Sequence, residues 1–133
     1  MFSYACAYLS KDSQLLFKSL GVLKELHMTT CFDSSATIKA SDNIEMGCQS
    51  AKIKDICHWN TRNGVYLVAE LDCCSWSSKI NQHFKNIGAK EDLPHKPHLT
   101  LMKSESKELE NNLRDLVGKM IYFNRHSVRV KDN

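Results

Sequence analysis

Two short segments of the chain place a histidine two residues before a threonine. The first is Leu26-His27-Met28-Thr29-Thr30, and the second, in the other half of the chain, is Pro97-His98-Leu99-Thr100-Leu101. An imidazole has an unperturbed pKa of about 6.5, so a pair of histidines can remove one proton and deliver another near neutral pH. A hydroxyl beside each imidazole can donate a hydrogen bond to a phosphate oxygen on which charge develops. The pattern therefore favours cleavage of a phosphodiester without a metal ion.

Each His-x-Thr element stands at the start of a predicted strand. Because residues i and i+2 of a strand point to the same face, the histidine and the threonine would share one surface. The apolar residue between them, Met28 or Leu99, would turn to the opposite, core side. A purely structural alternative fits the same residues: both histidines pack against strand neighbours, and the threonines are present for their β propensity.

The elements that must position these side chains follow from apolar periodicity and turn residues. An Asn63-Gly64 turn signal directly before an apolar run predicts a hairpin. Strands are predicted at Phe2–Leu9, Leu26–Phe32, one or two within Ile44–Trp59, Val65–Leu71, His98–Met102 and Ile121–Val130. The order predicts an α+β fold with mainly antiparallel pairing.

Three helices are predicted between the strands. The first is capped by Ser10 or Asp12 and has Leu15, Leu16, Leu20 and Leu23 at helical spacing. The second contains Ile80, Phe84 and Ile87 and ends at Gly88. The third covers Ser106 to Met120, with an apolar stripe of Leu109, Leu113, Leu116 and Val117, and is expected to end near Gly118.

The composition indicates one domain over residues 1–133. The chain is 42% hydrophobic and 25% charged, with a net charge of +3. Its apolar runs are too short to span a membrane, and we expect neither a secretory signal nor a disulfide framework, so the six cysteines are expected to be reduced. A zinc site built from Cys57-His58 and His95-x-x-His98 lacks the paired spacings of structural zinc sites, and we expect no metal.

The paired His-x-Thr elements resemble those of the two-histidine (2H) phosphoesterases, and the resemblance covers most of the chain. It implies the 2H phosphoesterase fold: two pseudo-symmetric antiparallel-sheet lobes around a central cleft, with flanking helices. It also implies a phosphodiesterase that needs no metal or other cofactor. Related activities in that superfamily leave a 2′,3′-cyclic phosphodiesterase or an RNA end-processing enzyme as alternatives.

Three segments resemble more specifically the phage anti-CBASS phosphodiesterases, which destroy the cyclic oligonucleotide signals of bacterial immunity. They are Ser3-Tyr4-Ala5-Cys6-Ala7, Trp59-Asn60-Thr61-Arg62-Asn63-Gly64 leading into Val65 to Asp72, and His95-Lys96-Pro97-His98-Leu99-Thr100-Leu101. The resemblance implies cleavage of cyclic di- or trinucleotides such as 3′,3′-cyclic GMP-AMP in the cytoplasm of an infected bacterium. A non-catalytic sponge for such a nucleotide is the alternative from another class.

The same resemblance implies a role for seven residues. His27 and His98 would be the acid/base pair, with Thr29 and Thr100 as their phosphate-binding companions. Tyr4 and Trp59 would contact nucleobases, since stacking on an aromatic face tolerates different bases. Near the C-terminus the relatives place an acidic and a basic group on the last strand. This chain has His126 and Arg129 there, so only Arg129 matches, as a further substrate-binding residue.

Overall fold

Six β-strands and three α-helices make up the part of the chain described by this computed structural model, residues 1–73 and 75–132. Cys74 therefore lies outside the described residues. The elements are β1 (Phe2–Leu9), α1 (Lys11–Lys18), β2 (His27–Asp33), β3 (Gln49–Thr61), β4 (Gly64–Asp72), α2 (Trp76–Asn86), β5 (His98–Lys103), α3 (Lys107–Leu113) and β6 (Met120–Lys131). Short 3₁₀ turns occur at Ala40–Asp42 and Arg114–Leu116.

The strands form one open antiparallel sheet in the order β2-β1-β6-β3-β4-β5. In each half, a central strand (β1 or β4) leads through a helix to an edge strand (β2 or β5) that pairs back onto it. The halves are joined where Gln49 to Lys52 of β3 pair with Met120 to Phe123 of β6. The two edge strands also contact each other. The predicted α+β class and antiparallel pairing are confirmed, while the two-lobed 2H fold stays a prediction.

All three helices bury apolar residues against the same face of the sheet. Phe17 of α1 and Leu113 of α3 pack in one cluster with strand residues that include Met28 and Leu99. Phe84 of α2 packs in a second, smaller cluster with residues of β1, β2 and β6. The strand residues that alternate with this core point to the opposite side. We call that side, which carries both His-x-Thr elements, the site face.

The hairpin between β3 and β4 lies where the Asn-Gly signal predicts it. Thr61 pairs with Gly64, and the Thr61 hydroxyl donates a 2.8 Å hydrogen bond to the Gly64 carbonyl. Gly64 has a φ of +128°, and a Cβ built there would lie 2.5 Å from Cε of Lys103. The turn therefore needs glycine for its positive-φ backbone conformation, whereas the flexible end of Lys103 can move away from an added side chain.

Two of the helix predictions are wrong in part. Helix α1 ends at Lys18, and its core residue is the fully buried Phe17, whereas Leu15 and Leu23 are 57% and 75% exposed. Helix α3 is shorter than the predicted segment because residues 118 and 119 pair with β3. The Gly118 N–H donates to the Ile53 carbonyl at 2.7 Å, and the Ile53 N–H donates to residue 119 at 2.9 Å. Among the described residues, no helix is long and apolar enough to cross a membrane.

Candidate functional site

Both His-x-Thr elements open an edge strand, β2 or β5. Within each element the histidine and threonine are half-buried, and the apolar residue between them, Met28 or Leu99, is fully buried. The predicted alternation between the site face and the core is thereby confirmed. A strand thus holds each imidazole and hydroxyl side by side on a rigid backbone.

The two elements lie close to each other, although their strands are at opposite ends of the sheet order. Strand β2 contacts β5, and Thr29 of the first element lines the same cavity as His98 of the second. His98 also contributes to the electrostatic environment of His27. The structure therefore brings both imidazoles to one site.

The ring of His98 is oriented by its own backbone neighbourhood. Its Nδ1 lies 2.7 Å from the carbonyl oxygen of Lys96, and because a carbonyl only accepts, Nδ1 carries the proton. In the neutral ring this leaves Nε2 as the acceptor. Trp59 packs against the ring with centroids 4.5 Å apart and planes tilted by 45°. The hydrogen bond and the indole together fix the direction in which Nε2 points.

His27 is held among aromatic rings and positive charges. Its ring stacks on Tyr4 at 6.1 Å and lies 5.8 Å from the ring of Tyr8. Burial lowers the pKa of His27 below its ordinary value, and the nearby charges of Lys24 and Arg129 lower it further. His27 is therefore held predominantly in its neutral form at pH 7.

A cavity of about 600 Å³ lies beside both elements. Its size falls in the range of small-molecule sites, roughly 300 to 1,000 Å³. It is lined by Thr29, Phe32, Trp59, Glu91, Asp92, Leu93, Pro94, His95, Lys96 and His98. A wider groove of about 900 Å³ lies beside α1, but none of the four His-x-Thr residues lines it. We therefore take the smaller cavity as the candidate site.

Of the other predicted site residues, Trp59 belongs to the lining of this cavity, whereas His27, Tyr4, Thr100 and Arg129 do not. Trp59 lines it directly, and Tyr4 reaches the site through its stacking on His27. Arg129 is exposed on β6, opposite Tyr4 in the strand register, with its guanidinium 5.8 Å from the Tyr8 ring. Thr100 is half-buried on the site face opposite Val68 and is not among the residues that line the cavity.

His126, the other polar residue of the last strand noted in the sequence, lies away from the cavity. It is buried on the helix-covered face and stacks on Phe84 with planes 9° apart. Its Nε2 lies 2.8 Å from the Thr30 hydroxyl, and its Nδ1 lies 2.7 Å from Oδ1 of Asn43. His126 is therefore positioned as a structural residue that ties β6 to β2.

Sequence reasoning missed three residues that shape the site. Phe32 lines the cavity from β2, and Tyr8 packs against His27. Glu91 anchors the cavity loop: its Oε2 accepts the Phe32 N–H at 2.7 Å and its Oε1 accepts from Asn81 Nδ2 at 2.9 Å. The spacing of Tyr4 and Tyr8 on one strand could have indicated Tyr8, whereas no local pattern indicates Glu91.

The histidines of the zinc arrangement considered above have other partners. His58 Nδ1 lies 3.1 Å from Glu110, and His95 Nε2 lies 3.3 Å from the Ser77 hydroxyl. Among the described residues, the side chains of Asp55, Cys57 and Glu70 come within 4.8 Å of one another. Arg114 forms an ion pair with Asp55 at 3.3 Å. This cluster lacks the ligand set of a structural zinc site.

The geometry defines a class of protein: an antiparallel α+β fold in which one residue of each His-x-Thr element, Thr29 and His98, lines an aromatic cavity of ligand size. Comparison with protein families narrows this class, since the family model described as anti-CBASS protein Acb1 matches residues 8–127. The chain belongs to this Acb1 family of phage anti-CBASS proteins. A search of curated proteins finds none that matches it. An anti-CBASS role implies a cyclic nucleotide as ligand.

Proposed function

We propose that this protein is a metal-independent phosphodiesterase that cleaves the 3′–5′ linkages of cyclic di- or trinucleotide immune signals in the infected cell. The observation that carries the proposal is that Thr29 of one His-x-Thr element and His98 of the other line one cavity, with His27 close enough to interact electrostatically with His98, in a chain of an anti-CBASS family. Two imidazoles can serve as base and acid in one reaction, and the adjacent hydroxyls can bind the phosphate.

The reaction begins at a ribose 2′-hydroxyl next to the scissile linkage. One histidine takes the proton of this hydroxyl while its oxygen attacks phosphorus in line. The bond from phosphorus to the 5′-oxygen breaks, and the second histidine protonates the departing oxygen. The products are a 2′,3′-cyclic phosphate and a free 5′-hydroxyl. Water can later open the cyclic phosphate by the reverse use of the pair.

We assign the base role to His27 and the acid role to His98. A base must be neutral before the reaction, and burial together with Lys24 and Arg129 favours the neutral form of His27. His98 is oriented through Nδ1 on the Lys96 carbonyl, so its Nε2 is the atom that carries the transferred proton. Thr29 and Thr100 are the phosphate-binding companions. Tyr4, Trp59 and Arg129 bind the rest of the substrate.

The test is chromatography of 3′,3′-cyclic GMP-AMP incubated with the protein in EDTA. Linear products are expected from the wild type, and none from an analogue without 2′-hydroxyls. His27→Ala and His98→Ala should each lower the rate about 10²- to 10⁴-fold. The matched control is His83→Ala, because His83 is exposed on α2 and should leave the rate unchanged.

The other outcomes identify the alternatives. If denaturation of the complex releases intact cyclic nucleotide in a stoichiometric amount, the enzymatic proposal is overturned in favour of a sponge. An intact, unbound cyclic nucleotide together with turnover of RNA bearing 2′,3′-cyclic ends would point to the RNA end-processing alternative. Loss of activity in EDTA that is restored by a divalent cation would contradict the metal-independent mechanism.

A further inference from the structure

Two aromatic side chains from different halves of the sheet line the cavity beside the His-x-Thr elements. Phe32 reaches it from edge strand β2, and Trp59 reaches it from β3. Phe32 is 41% exposed, which is unusual for a phenylalanine on a strand. An exposed aromatic side chain facing a cavity indicates a binding surface more than a core position.

Phe32 is held in place by contacts on both its ring and its backbone. Its ring stacks on Phe2 with centroids 5.4 Å apart and planes 30° apart. Its N–H donates to Glu91 Oε2, and Glu91 is itself fixed by Asn81 and by an ion pair with Lys85 at 3.7 Å. The ring is therefore positioned before any ligand arrives, which lowers the entropic cost of binding.

The loop before β5 supplies the remaining wall, and its chemistry indicates what the cavity binds. Leu93, which is 75% exposed, and Pro94 add apolar surface. The charged lining residues nearly balance: the carboxylate of Glu91 is paired with Lys85, and Asp92 lines the cavity together with Lys96, whose ammonium lies 5.5 Å from the centre of a Trp59 ring. The apolar and aromatic surface of this wall suits a flat, uncharged heterocycle, whereas Thr29 and His98 of the same cavity are the residues proposed to act at the phosphate.

We propose that the space between Phe32 and Trp59 is a nucleobase subsite, in which Phe32 is a stacking residue for one base of the cyclic nucleotide. The subsite rests on the proposed function for the identity of its ligand. It adds to the predicted base contacts of Tyr4 and Trp59 a position that no sequence motif marks. Since every base has a π face, stacking here binds different cyclic nucleotides.

The first test separates binding from chemistry in the hydrolysis of 3′,3′-cyclic GMP-AMP. Phe32→Leu keeps apolar volume but removes the ring, so we expect KM to rise about 10-fold with kcat within about twofold. Phe32→Tyr keeps the ring and should retain the wild-type KM. The matched control is Tyr122→Leu, because Tyr122 is also an exposed strand aromatic, 46% exposed, but does not line the cavity.

The second test does not depend on catalysis. Calorimetric titration with the analogue of 3′,3′-cyclic GMP-AMP that lacks 2′-hydroxyls should give about a 10-fold higher Kd for Phe32→Leu and an unchanged Kd for Phe32→Tyr. If the wild type binds the analogue tightly but does not cleave 3′,3′-cyclic GMP-AMP, the proposed enzymatic activity is wrong and the nucleobase subsite is supported. Equal Kd and KM values for wild type and Phe32→Leu would overturn the subsite, whatever the hydrolysis result. If Phe32→Leu does not fold, a wild-type Kd for Phe32→Ser would overturn it equally.

Discussion

At the scale of single residues, the two site histidines differ in what surrounds them. His98 is oriented by a carbonyl and packed against an indole, whereas His27 lies among cations and tyrosine rings. Burial is the larger cause of the lowered pKa of His27, and the charge of Lys24 comes next. The surroundings of His27 favour its neutral form, which is the form that a base requires.

Removal of one surface charge tests this electrostatic arrangement. In Lys24→Gln the imidazolium of His27 loses a repulsive neighbour, so the pKa of His27 is expected to rise towards its ordinary value. NMR titration of the His27 ring should show the higher midpoint, and the acidic limb of kcat/KM should move to higher pH. The control Lys18→Gln removes an exposed lysine at the end of α1 and should change neither. An unchanged or lower His27 midpoint in Lys24→Gln would contradict the role of this charge.

Much of the candidate site could be predicted at this scale, since alternation along a strand is a local property. The spacing in His27-Met28-Thr29 places its polar groups on one face in any strand register. Phe32 and Glu91 could not be predicted as a pair. Their contact joins residues far apart in the chain and depends on where the loop before β5 folds back onto β2.

At the scale of elements, the buried carboxylate of Asp33 fixes the end of β2 and the start of the cavity loop. Its Oδ1 accepts N–H groups of Ser35 at 3.0 Å and Lys90 at 2.9 Å, and its Oδ2 accepts those of Thr37 and Ile38. Burial acts to raise its pKa, but these hydrogen bonds outweigh burial and lower it to about 2. Because Lys90 precedes Glu91, this carboxylate also positions the loop that holds Phe32.

Asp33→Asn is expected to destabilise the fold markedly. The amide keeps one acceptor oxygen and turns an NH₂ group towards two backbone donors, so two buried or part-buried N–H groups lose their partner. At about 1 to 3 kcal/mol for each, the free energy of unfolding should fall by roughly 2 to 6 kcal/mol in urea at pH 7. The control Asp12→Asn, at an exposed position in the first turn of α1, should cost less than about 1 kcal/mol. A cost for Asp33→Asn no larger than that of the control would contradict this account.

Element boundaries were predicted well where a turn residue or a cap marks them. Strand β1 and the hairpin at Gly64 are confirmed, and α2 ends before Gly88 as expected. The length of α3 was wrong because helical periodicity continues in the sequence beyond Leu113. A helix that continued to Gly118 would lose the backbone hydrogen bonds between residues 118 and 119 and Ile53. In the folded protein these hydrogen bonds form instead of the longer helix.

At the scale of the whole molecule, the strand order could not be predicted from local patterns. Only the β3–β4 pair carries a turn signal of its own. The β1–β6 and β3–β6 pairs join segments distant in sequence, and their register depends on packing across the sheet. The contact between β2 and β5 is a further consequence of that order. The candidate catalytic residues can thus be predicted from two short segments. Their placement at one site depends on the order and register of the entire sheet.

His126 connects several of these distant parts and gives the fold a pH dependence of its own. It joins β6 to Thr30 of β2 and to Asn43, and it stacks on Phe84 of α2. Burial lowers its pKa to about 4, whereas the unfolded value is near 6.5. Between these values the unfolded chain binds more protons than the folded protein. Stability is therefore full above pH 6.5 and declines as the pH falls towards 4, by about 3 kcal/mol from this group.

We therefore expect His126→Gln to be less stable than the wild type at pH 7 but less sensitive to acid. Urea unfolding between pH 4.5 and 7.5 should show the two free energies of unfolding converging as the pH falls. His27 and His95 also have lowered pKa values and add slope of the same sign, so only the difference between the two proteins reports His126. The exposed His83→Gln should run parallel to the wild type. Parallel curves for His126→Gln as well would show that this buried imidazole does not set the acid sensitivity of the fold.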